Sequence, residues 1–402
     1  TVANYFYVSG GLALGIAGFL ILSLYVRYET SFHKWLPGYR NLYIVEENWD
    51  RPGESINGIS QATMGGLIDQ LRADMPETEG TRLFATGGTV IRNGVGRQED
   101  IAEADPNFLE LFPLQMIAGN RTNALASPSN IVMSESLARK YFPDGNAMGQ
   151  TLTIKAPSKS GNVRVTGIFK DLPDATEDYL RFTALTPLPR KMDDDYWNHW
   201  GSERLQTFLR FASPEAAQAY AAKLPGFVKR RAAGDLGEML SQFSLELHPL
   251  TDLHFQTPGR KLMTTTLGLV GLLTLLIAIV NYVNLATARA ALRAREVAMR
   301  KVLGASRSAL VRQFLGEAVL TVALAAVIGL MIGELGLPFV NAAGGLKLSV
   351  PYAIVMPSLA ALAILVGLLA GLYPAVLLSR FPAAAVLAAS RAPGGGRAGT
   401  RI

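Results

Sequence analysis

Four long apolar runs, almost free of charge, constrain this chain more than any other feature of its sequence. A helix needs about 20 consecutive apolar residues to cross the hydrocarbon core of a bilayer. The first run ends at Arg27, the third contains one acid, Glu334, and the second and fourth contain no charged residue. Buried core helices are the alternative interpretation, but such helices seldom exceed about 14 consecutive apolar residues. The sequence therefore predicts four transmembrane helices, at 1–27, 262–288, 315–339 and 352–379.

The first apolar run and the C-terminal tail each allow more than one interpretation. A cleaved signal peptide is disfavoured, because no basic segment precedes the run and 23–27 offers no small-residue cleavage site. The chain starts at Thr1, almost inside the first run, so we expect residues upstream of it. The Gly/Arg-rich stretch 392–402 is typical of a linker or a frayed end, and would also suit half of a longer duplicated chain.

Charge is distributed unevenly along the chain. Residues 27–261 have a net charge of −3 and residues 262–402 a net charge of +9, in a chain whose total is +6. Short loops rich in Lys and Arg stay in the cytoplasm. A nucleic-acid interpretation of the basic pI loses its basis, because the basic residues border the membrane spans. The charge pattern predicts a cytoplasmic segment at 289–314, a cytoplasmic tail at 380–402, a short external link at 340–351 and a large external segment at 28–261.

The external segment is long enough to form its own core, which we expect to be split in two. Strand-like runs, such as 41–45, 130–133 and 163–169, alternate with turns. Helical patterns intervene, and one of them, 64–72, places four apolar residues on a single face. The sequence therefore predicts an extracytoplasmic α+β domain between the first and second transmembrane helices.

Motifs for catalysis are missing from the sequence. It contains no Gly-x4-Gly-Lys-Ser/Thr phosphate loop, no Gly-x-Ser-x-Gly elbow and no His-Glu-x-x-His zinc helix. The four histidines are scattered, which favours packing or surface roles over a metal site or a catalytic triad. We therefore expect no enzymatic activity, no catalytic or metal-binding residue and no cofactor in this chain, and the same lack of paired catalytic residues disfavours an intramembrane hydrolase.

Small residues recur at a spacing of four within three of the spans. Such pairs let helices approach closely, because lipid provides no hydrophobic drive for helix pairing; the alternative is that Gly is simply common in membrane helices. Asn281 and Asn284 lie three residues apart in the second span, where we expect them to form hydrogen bonds between helices. The glycines of these pairs are Gly11, Gly15, Gly329, Gly333, Gly367 and Gly371.

The basic segment after the second span carries the most specific signal. Residues 291–303 continue as a helix, Gly304 and Ala305 break it, and Ser306 caps the next helix. An apolar strip with basic flanks fits a helix that docks into the groove of a cytoplasmic partner. A basic loop that only sets topology and binds anionic lipid is equally compatible with the composition.

Several motifs resemble a known family. NYVNLATAR at 281–289, REVAMRKVLGAS at 295–306, QFLGE at 313–317 and GLYPA at 371–375 resemble the FtsX-like permease core. The external motifs SESLARKYFPDG at 134–145 and LTDLH at 250–254 resemble the MacB-like periplasmic core domain. The likeness covers nearly the whole chain.

The resemblance implies an ABC-transporter permease of type VII, with four transmembrane helices, a homodimeric or pseudo-dimeric assembly and a separate ATPase subunit that binds ATP and Mg. In that family, closure of the ATPase dimer is relayed through the helices to the external domain, a mechanism called mechanotransmission. The external domain would have two subdomains, with a strand-rich insert at about 120–200. The coupling helix that contacts the ATPase would comprise Arg295, Glu296, Ala298, Met299, Arg300, Lys301, Val302 and Leu303, with Gly304 in its turn.

The function expected from topology and resemblance is that of the permease subunit of an ABC-type exporter in the bacterial cytoplasmic (inner) membrane. The alternative is a non-transporting permease that controls a cell-wall enzyme or senses antimicrobial peptides. Expected partners are the ATPase, a second permease copy, a periplasmic adaptor and membrane lipid, and nucleic acid is not among them.

Overall fold

The computed structural model describes residues 2–189, 196–292, 299–300 and 302–380. The chain divides into two compact units. The sheet unit comprises Ser31–Pro258, and the helix unit joins Thr1–Thr30 to Gly259–Ile402.

Four helices of the described part are long and apolar enough to cross a membrane: α1, α8, α9 and α10. Within the helix unit, α1 packs against α8 and α9, and α10 packs against α9 and α8. Pro338 lies inside α9, and Gly345 ends that helix in the left-handed conformation, as helix C-termini commonly do. The helices are α1 (Val2–Glu29), α2 (Leu67–Asp74), α3 (Phe108–Leu111), α4 (Glu135–Tyr141), α5 (Pro214–Ala221), α6 (Leu224–Arg231), α7 (Ala233–Leu236), α8 (Arg260–Leu292), α9 (Arg307–Gly344) and α10 (Tyr352–Arg380).

The strands of the sheet unit form one mixed sheet in the order β13-β1-β12-β3-β6-β11-β8-β10-β9-β4-β5, with β2 added to β1 and β7 to β10. Two pairs, β6 with β11 and β8 with β10, are parallel, and the other pairs are antiparallel. The strands are β1 (Leu42–Trp49), β2 (Gly58–Ser60), β3 (Gly80–Ala85), β4 (Gly88–Arg92), β5 (Val95–Glu99), β6 (Ile101–Ala104), β7 (Met116–Gly119), β8 (Asn130–Ser134), β9 (Thr151–Ala156), β10 (Lys159–Phe169), β11 (Ala184–Pro187), β12 (Gln206–Arg210) and β13 (Phe243–Pro249).

One end of the sheet is buried on both faces. Ile44 and Phe208 belong to one core, which α3 covers, whereas their neighbours Val45 and Leu209 belong to a second core, which α2 and α6 cover. Successive side chains of a strand point to opposite faces, so a single sheet separates the two cores.

The other end of the sheet encloses a third core under α4. Its residues come from β8, β9 and β10 and also from Val90 of β4 and Ile101 of β6. The hairpin of β4 and β5 pairs with β9, so strands from before residue 120 complete this end of the sheet together with the strands of the predicted insert. The predicted domain boundaries themselves stay predictions.

A buried ion pair ties β3 to the segment after β6. Arg82 Nη2 lies 2.9 Å from Asp105 Oδ1, and the two side chains are 4% and 10% exposed. The Arg82 backbone N–H donates to Asp105 Oδ2, and Arg82 Nη1 donates to the carbonyl oxygen of Gly65. The guanidinium is therefore satisfied on several sides, as a buried charge requires.

Two carboxyl groups of the sheet unit are also buried. Burial raises the pKa of Glu47 on β1 to about 8, since desolvation disfavours the charged form. Burial likewise raises the pKa of Glu103 on β6 to about 7, although the nearby Lys159 ammonium opposes that shift. The sheet unit therefore holds protons near neutral pH that its unfolded chain would release.

Candidate functional site

The predicted coupling helix lies between α8 and α9. Arg295, Glu296, Ala298 and Lys301 lie outside the described residues. Met299, Arg300 and the segment 302–306 are described, and they form the end of a helical turn and the link to α9, of which Ser306 is the N-cap.

The turn between the two helical segments is closed by backbone hydrogen bonds. The Leu303 N–H donates to the Met299 carbonyl oxygen at 3.1 Å, and the Ala305 N–H donates to the Arg300 carbonyl oxygen at 3.0 Å. Gly304 has φ of +94°, the left-handed conformation that glycine adopts at a helix C-terminus. The Ser306 hydroxyl accepts from the Ala309 N–H and caps α9. Gly304 thus ends the first helical segment, Ala305 links the two segments, and Ser306 caps the start of α9.

Three apolar side chains project from this turn. Met299, Val302 and Leu303 are 60%, 65% and 85% exposed. Single exposed apolar residues are common on protein surfaces, but three within five residues on one turn form a patch of the kind that marks an interaction site. We call these three residues the apolar knob.

Arg300 points back from the knob to α9. Its Nη1 donates to Gln313 Oε1 at 2.9 Å, and Gln313 Nε2 donates to Glu317 Oε1 at 3.1 Å. Because Gln313 and Glu317 are one turn apart on α9, this polar chain connects the turn to the first three turns of a membrane-spanning helix. The motif match at 313–317 pointed to these residues, but the sequence alone did not link them to Arg300.

The predicted small-residue pairs lie at helix–helix contacts in the helix unit. A Cβ atom added at Gly15 of α1 would clash with the Ala278 side chain of α8. At Gly329 it would lie 2.8 Å from the Ala13 carbonyl oxygen, and at Gly367 it would lie 2.5 Å from Val319 Cα. The partner glycines Gly11, Gly333 and Gly371 face Asn281, Leu20 and Leu315 respectively, at longer distances of 3.9, 3.0 and 2.9 Å.

Three polar side chains of the second span differ in their contacts. Asn281 and Asn284 are exposed, and neither side chain forms a hydrogen bond with another described residue. Their predicted bonds between helices stay a prediction. Between them, Tyr282 directs its hydroxyl across to the Ala318 carbonyl oxygen of α9 at 3.4 Å. The sequence reasoning missed this contact, because an apolar-looking run hides the polar end of a tyrosine.

Glu334, the acid of the third span, has a partner on the next helix. The Tyr352 hydroxyl at the start of α10 donates to the Glu334 carboxylate. A tyrosine 18 residues away along the chain was not detectable from the sequence as its partner. The contact ties the outer ends of α9 and α10 and gives the carboxylate a donor.

Comparison with known families defines the class of protein. Residues 8–226 match the MacB-like periplasmic core domain, and residues 268–383 match the FtsX-like permease C-terminal region. The first match alone covers more than half of the chain. The chain belongs to the family of ABC transporter permeases that carry a MacB-like periplasmic core domain.

The chain is also similar to individual proteins. YvrN, an ABC transporter permease of Bacillus subtilis (strain 168), is 22% identical over 347 residues, which is 80% of each chain. YknZ, an ABC transporter permease of the same organism, is 30% identical over 114 residues, 28% of each chain. The crystal structure of the periplasmic region of MacB from Actinobacillus actinomycetemcomitans is 14% identical and covers 55% of this chain and 93% of its own, with a TM-score of 0.37.

The resemblance drawn from the motifs is therefore confirmed, and so is the fold class of four transmembrane helices with an extracytoplasmic α+β domain. The protein is a multi-pass protein of the bacterial inner membrane, and its large domain is extracytoplasmic. Membership of this family implies a partner ATPase and a dimeric arrangement in general.

Proposed function

We propose that this permease couples ATP hydrolysis by a partner ATPase to movement of its extracytoplasmic domain, and that the movement serves export. The apolar knob of Met299, Val302 and Leu303 is the observation that carries the proposal. These side chains are exposed on a turn that Gly304 ends and that Ser306 joins to α9 as its N-cap. ATP and Mg would be bound by the ATPase.

The polar chain from Arg300 through Gln313 to Glu317 supports the same proposal. A displacement of the knob by the ATPase would move α9 through the backbone of the turn and through these hydrogen bonds. Along α9, the close approaches at Gly329 and Gly333 pass the displacement to α1. The ends of α1 and α8 continue into the sheet unit, so the helices that the displacement moves are those that bear the external domain.

The proposal is tested by co-purification of the full-length permease with a candidate ATPase from the same bacterium. Val302→Asp and Leu303→Asp each place a charge on the knob. We expect either change to reduce ATPase association at least about tenfold, because a desolvated carboxylate without a partner costs more than the about 1.4 kcal/mol that tenfold requires.

Ser308→Asp is the matched control. It adds the same charge five residues further along, at an exposed position in the first turn of α9, where the helix dipole favours an acid. Association should stay near the wild-type level in this variant. If the ATPase binds both knob variants as well as it binds the wild type, the knob is not the coupling site.

Further partners belong to the same proposal. A second copy of this permease would complete the assembly, a periplasmic adaptor would receive the movement outside the membrane, and lipid would cover the exposed apolar faces of α8 and α10. The domain boundaries predicted from the sequence remain part of this proposal.

A further inference from the structure

The sheet unit ends in an edge strand, β13, whose Leu245 is buried and whose Leu247 is partly exposed. The strand order begins with β13, which pairs only with β1 among the described strands. Edge strands present unpaired backbone groups and are a ready template for another strand.

The alternation of hydrogen-bonded and non-bonded residues along β13 identifies the backbone groups on its outer side. The Asp50 N–H donates to the Gln242 carbonyl oxygen, and the Leu250 N–H donates to the Leu42 carbonyl oxygen. In an antiparallel ladder, hydrogen-bonded pairs alternate with non-bonded pairs. By this alternation and the observed register, Leu245 and Leu247 turn their N–H and C=O groups away from β1.

An apolar groove runs beside this edge. It has a volume of about 510 Å³ and lies between β13, the segment before it and α6. Its apolar walls come from Pro225 and Val228 of α6, from Leu240, and from Phe243 and Leu245 of β13. An incoming strand would therefore place every second side chain in the groove, because side chains alternate between the faces of a sheet.

The opposite face of the same edge carries one partly exposed acid, Glu246, beside the fully buried Glu46. Glu46 and Glu246 lie directly across from each other on β1 and β13. His248 Nε2 lies 3.0 Å from Glu246 and 3.5 Å from Glu46, and the Glu246 side chain is 34% exposed. Basic side chains on this face of an incoming strand would lie beside Glu246, and opposite charges on adjacent strands stabilise a sheet.

The other end of the sheet lacks this combination. The outer strand there, β5, is exposed at Val95–Gln98 and carries Arg97 in its middle. Arg97 would repel the basic side chains of a segment that approached this edge. The strands at the two ends of the sheet therefore differ in the sign of the charge they present.

We propose that β13 accepts an extended segment of a partner protein in which apolar residues alternate with basic ones. The apolar side chains occupy the groove, the basic side chains lie beside Glu246, and the backbone pairs with Leu245 and Leu247. A second copy of this chain fits less well, because pairing of β13 with itself brings the Glu246 side chains of two copies onto one face, where like charges repel. The proposal does not depend on coupling to an ATPase.

The test uses the full-length permease in detergent and a fluorescein-labelled seven-residue peptide of alternating valine and lysine. Binding of this peptide is measured by fluorescence anisotropy. It is compared with the binding of two N-methylated versions, one methylated at its valines and the other at its lysines. Only one set of N–H groups faces β13, so the two methylated peptides should differ in affinity at least about tenfold, the result of losing two or three hydrogen bonds. Equal affinities, or no binding of the unmethylated peptide, would overturn the proposal.

Two protein variants place the binding at the groove. Leu240→Arg adds a cation to the groove and should weaken the peptide at least about tenfold, whereas Met239→Arg adds the same charge at the neighbouring exposed position and should change affinity less than about twofold. The affinities of the two methylated peptides are measured with the wild-type protein. The comparison between them is therefore valid even if Leu240→Arg does not fold. If Leu240→Arg instead disrupts an assembly of peptide-free permease, detected by light scattering, a second copy covers the edge and the proposal is wrong.

Discussion

The sheet unit and the helix unit bury their residues by different means. The cores of the sheet unit contain bulky aromatic side chains, such as Phe108 and Trp200, and charged groups such as Arg82. The main core of the helix unit is rich in alanine and in β-branched residues, such as Ala325 and Val322. The hydrophobic effect drives burial in the sheet unit. Lipid provides no such driving force for the association of helices, so the helix unit depends on close approach of its backbones instead. The stability of the sheet unit thus depends on which groups are buried, and that of the helix unit on how closely backbones approach.

The largest effect should come from breaking the buried ion pair of the sheet unit. We expect Arg82→Met to lower the free energy of unfolding by about 3 to 5 kcal/mol, because it leaves the Asp105 carboxylate buried without its partner. Arg230→Met is the matched control, since Arg230 pairs with Asp74 while 62% exposed and should cost less than about 1 kcal/mol. Thermal unfolding of the full chain in detergent measures both, and similar losses would show that burial does not set the cost.

The second effect is a pH dependence confined to the sheet unit. The pKa of Glu47 is about 8 in the folded chain, above its ordinary value of 4.5, so the folded chain keeps a proton that the unfolded chain releases. Stability from this group is therefore present below about pH 4.5 and is lost as the pH rises through 8, by roughly 2 kcal/mol between pH 6 and pH 8.

Glu47→Gln removes this group and tests that assignment. The decline in unfolding free energy from pH 6 to pH 8 should shrink in this variant, while Glu54→Gln, at an exposed position, should leave it as in the wild type. Denaturant titrations at the two pH values measure the difference. An unchanged decline in Glu47→Gln would mean that Glu47 is already ionised at pH 6.

The smallest of the three effects concerns backbone approach in the helix unit. Gly367→Ala would place a Cβ atom 2.5 Å from Val319 Cα and should cost about 1.5 kcal/mol through displacement of α9 from α10. Gly316→Ala is its control on α9, where an added Cβ atom meets nothing within 4 Å. Unfolding midpoints in the same detergent should fall for the first variant and not for the second. Equal unfolding midpoints would show that small residues do not set the packing of these helices.

The sequence predicted the helix unit better than the sheet unit, for a physical reason. A membrane span is a local property, because each run of apolar residues satisfies its own backbone and the glycines at i and i+4 share one helix face. Gly367 and Gly371 could therefore be selected from spacing alone. Their neighbours on α9 could not, because helix spacing does not specify a partner.

The sheet unit depends on contacts between distant parts of the chain. The strand patterns at 41–45 and 163–169 predicted strands where β1 and β10 lie, but nothing in them indicates that β6 pairs in parallel with β11, about 80 residues later. The same limit applies to the coupling site. The turn at Gly304 was predictable from residue type, whereas the hydrogen bond from Arg300 to Gln313 requires the two helices to be placed first.

The position of β1 has a consequence for how the external domain forms. β1 is made early in synthesis, yet one of its two main neighbours, β13, is the last strand of the domain, and Tyr43 opposes Pro249. About 200 residues must reach the outside before this pair can close, and loop closure over such distances is slow. Until β12 and then β13 emerge, the strand carrying Glu46 and Glu47 lacks its main partner strands on both sides and then on one, a state that is prone to aggregation. The external domain is therefore a candidate client for folding helpers outside the membrane during the interval before β13 emerges.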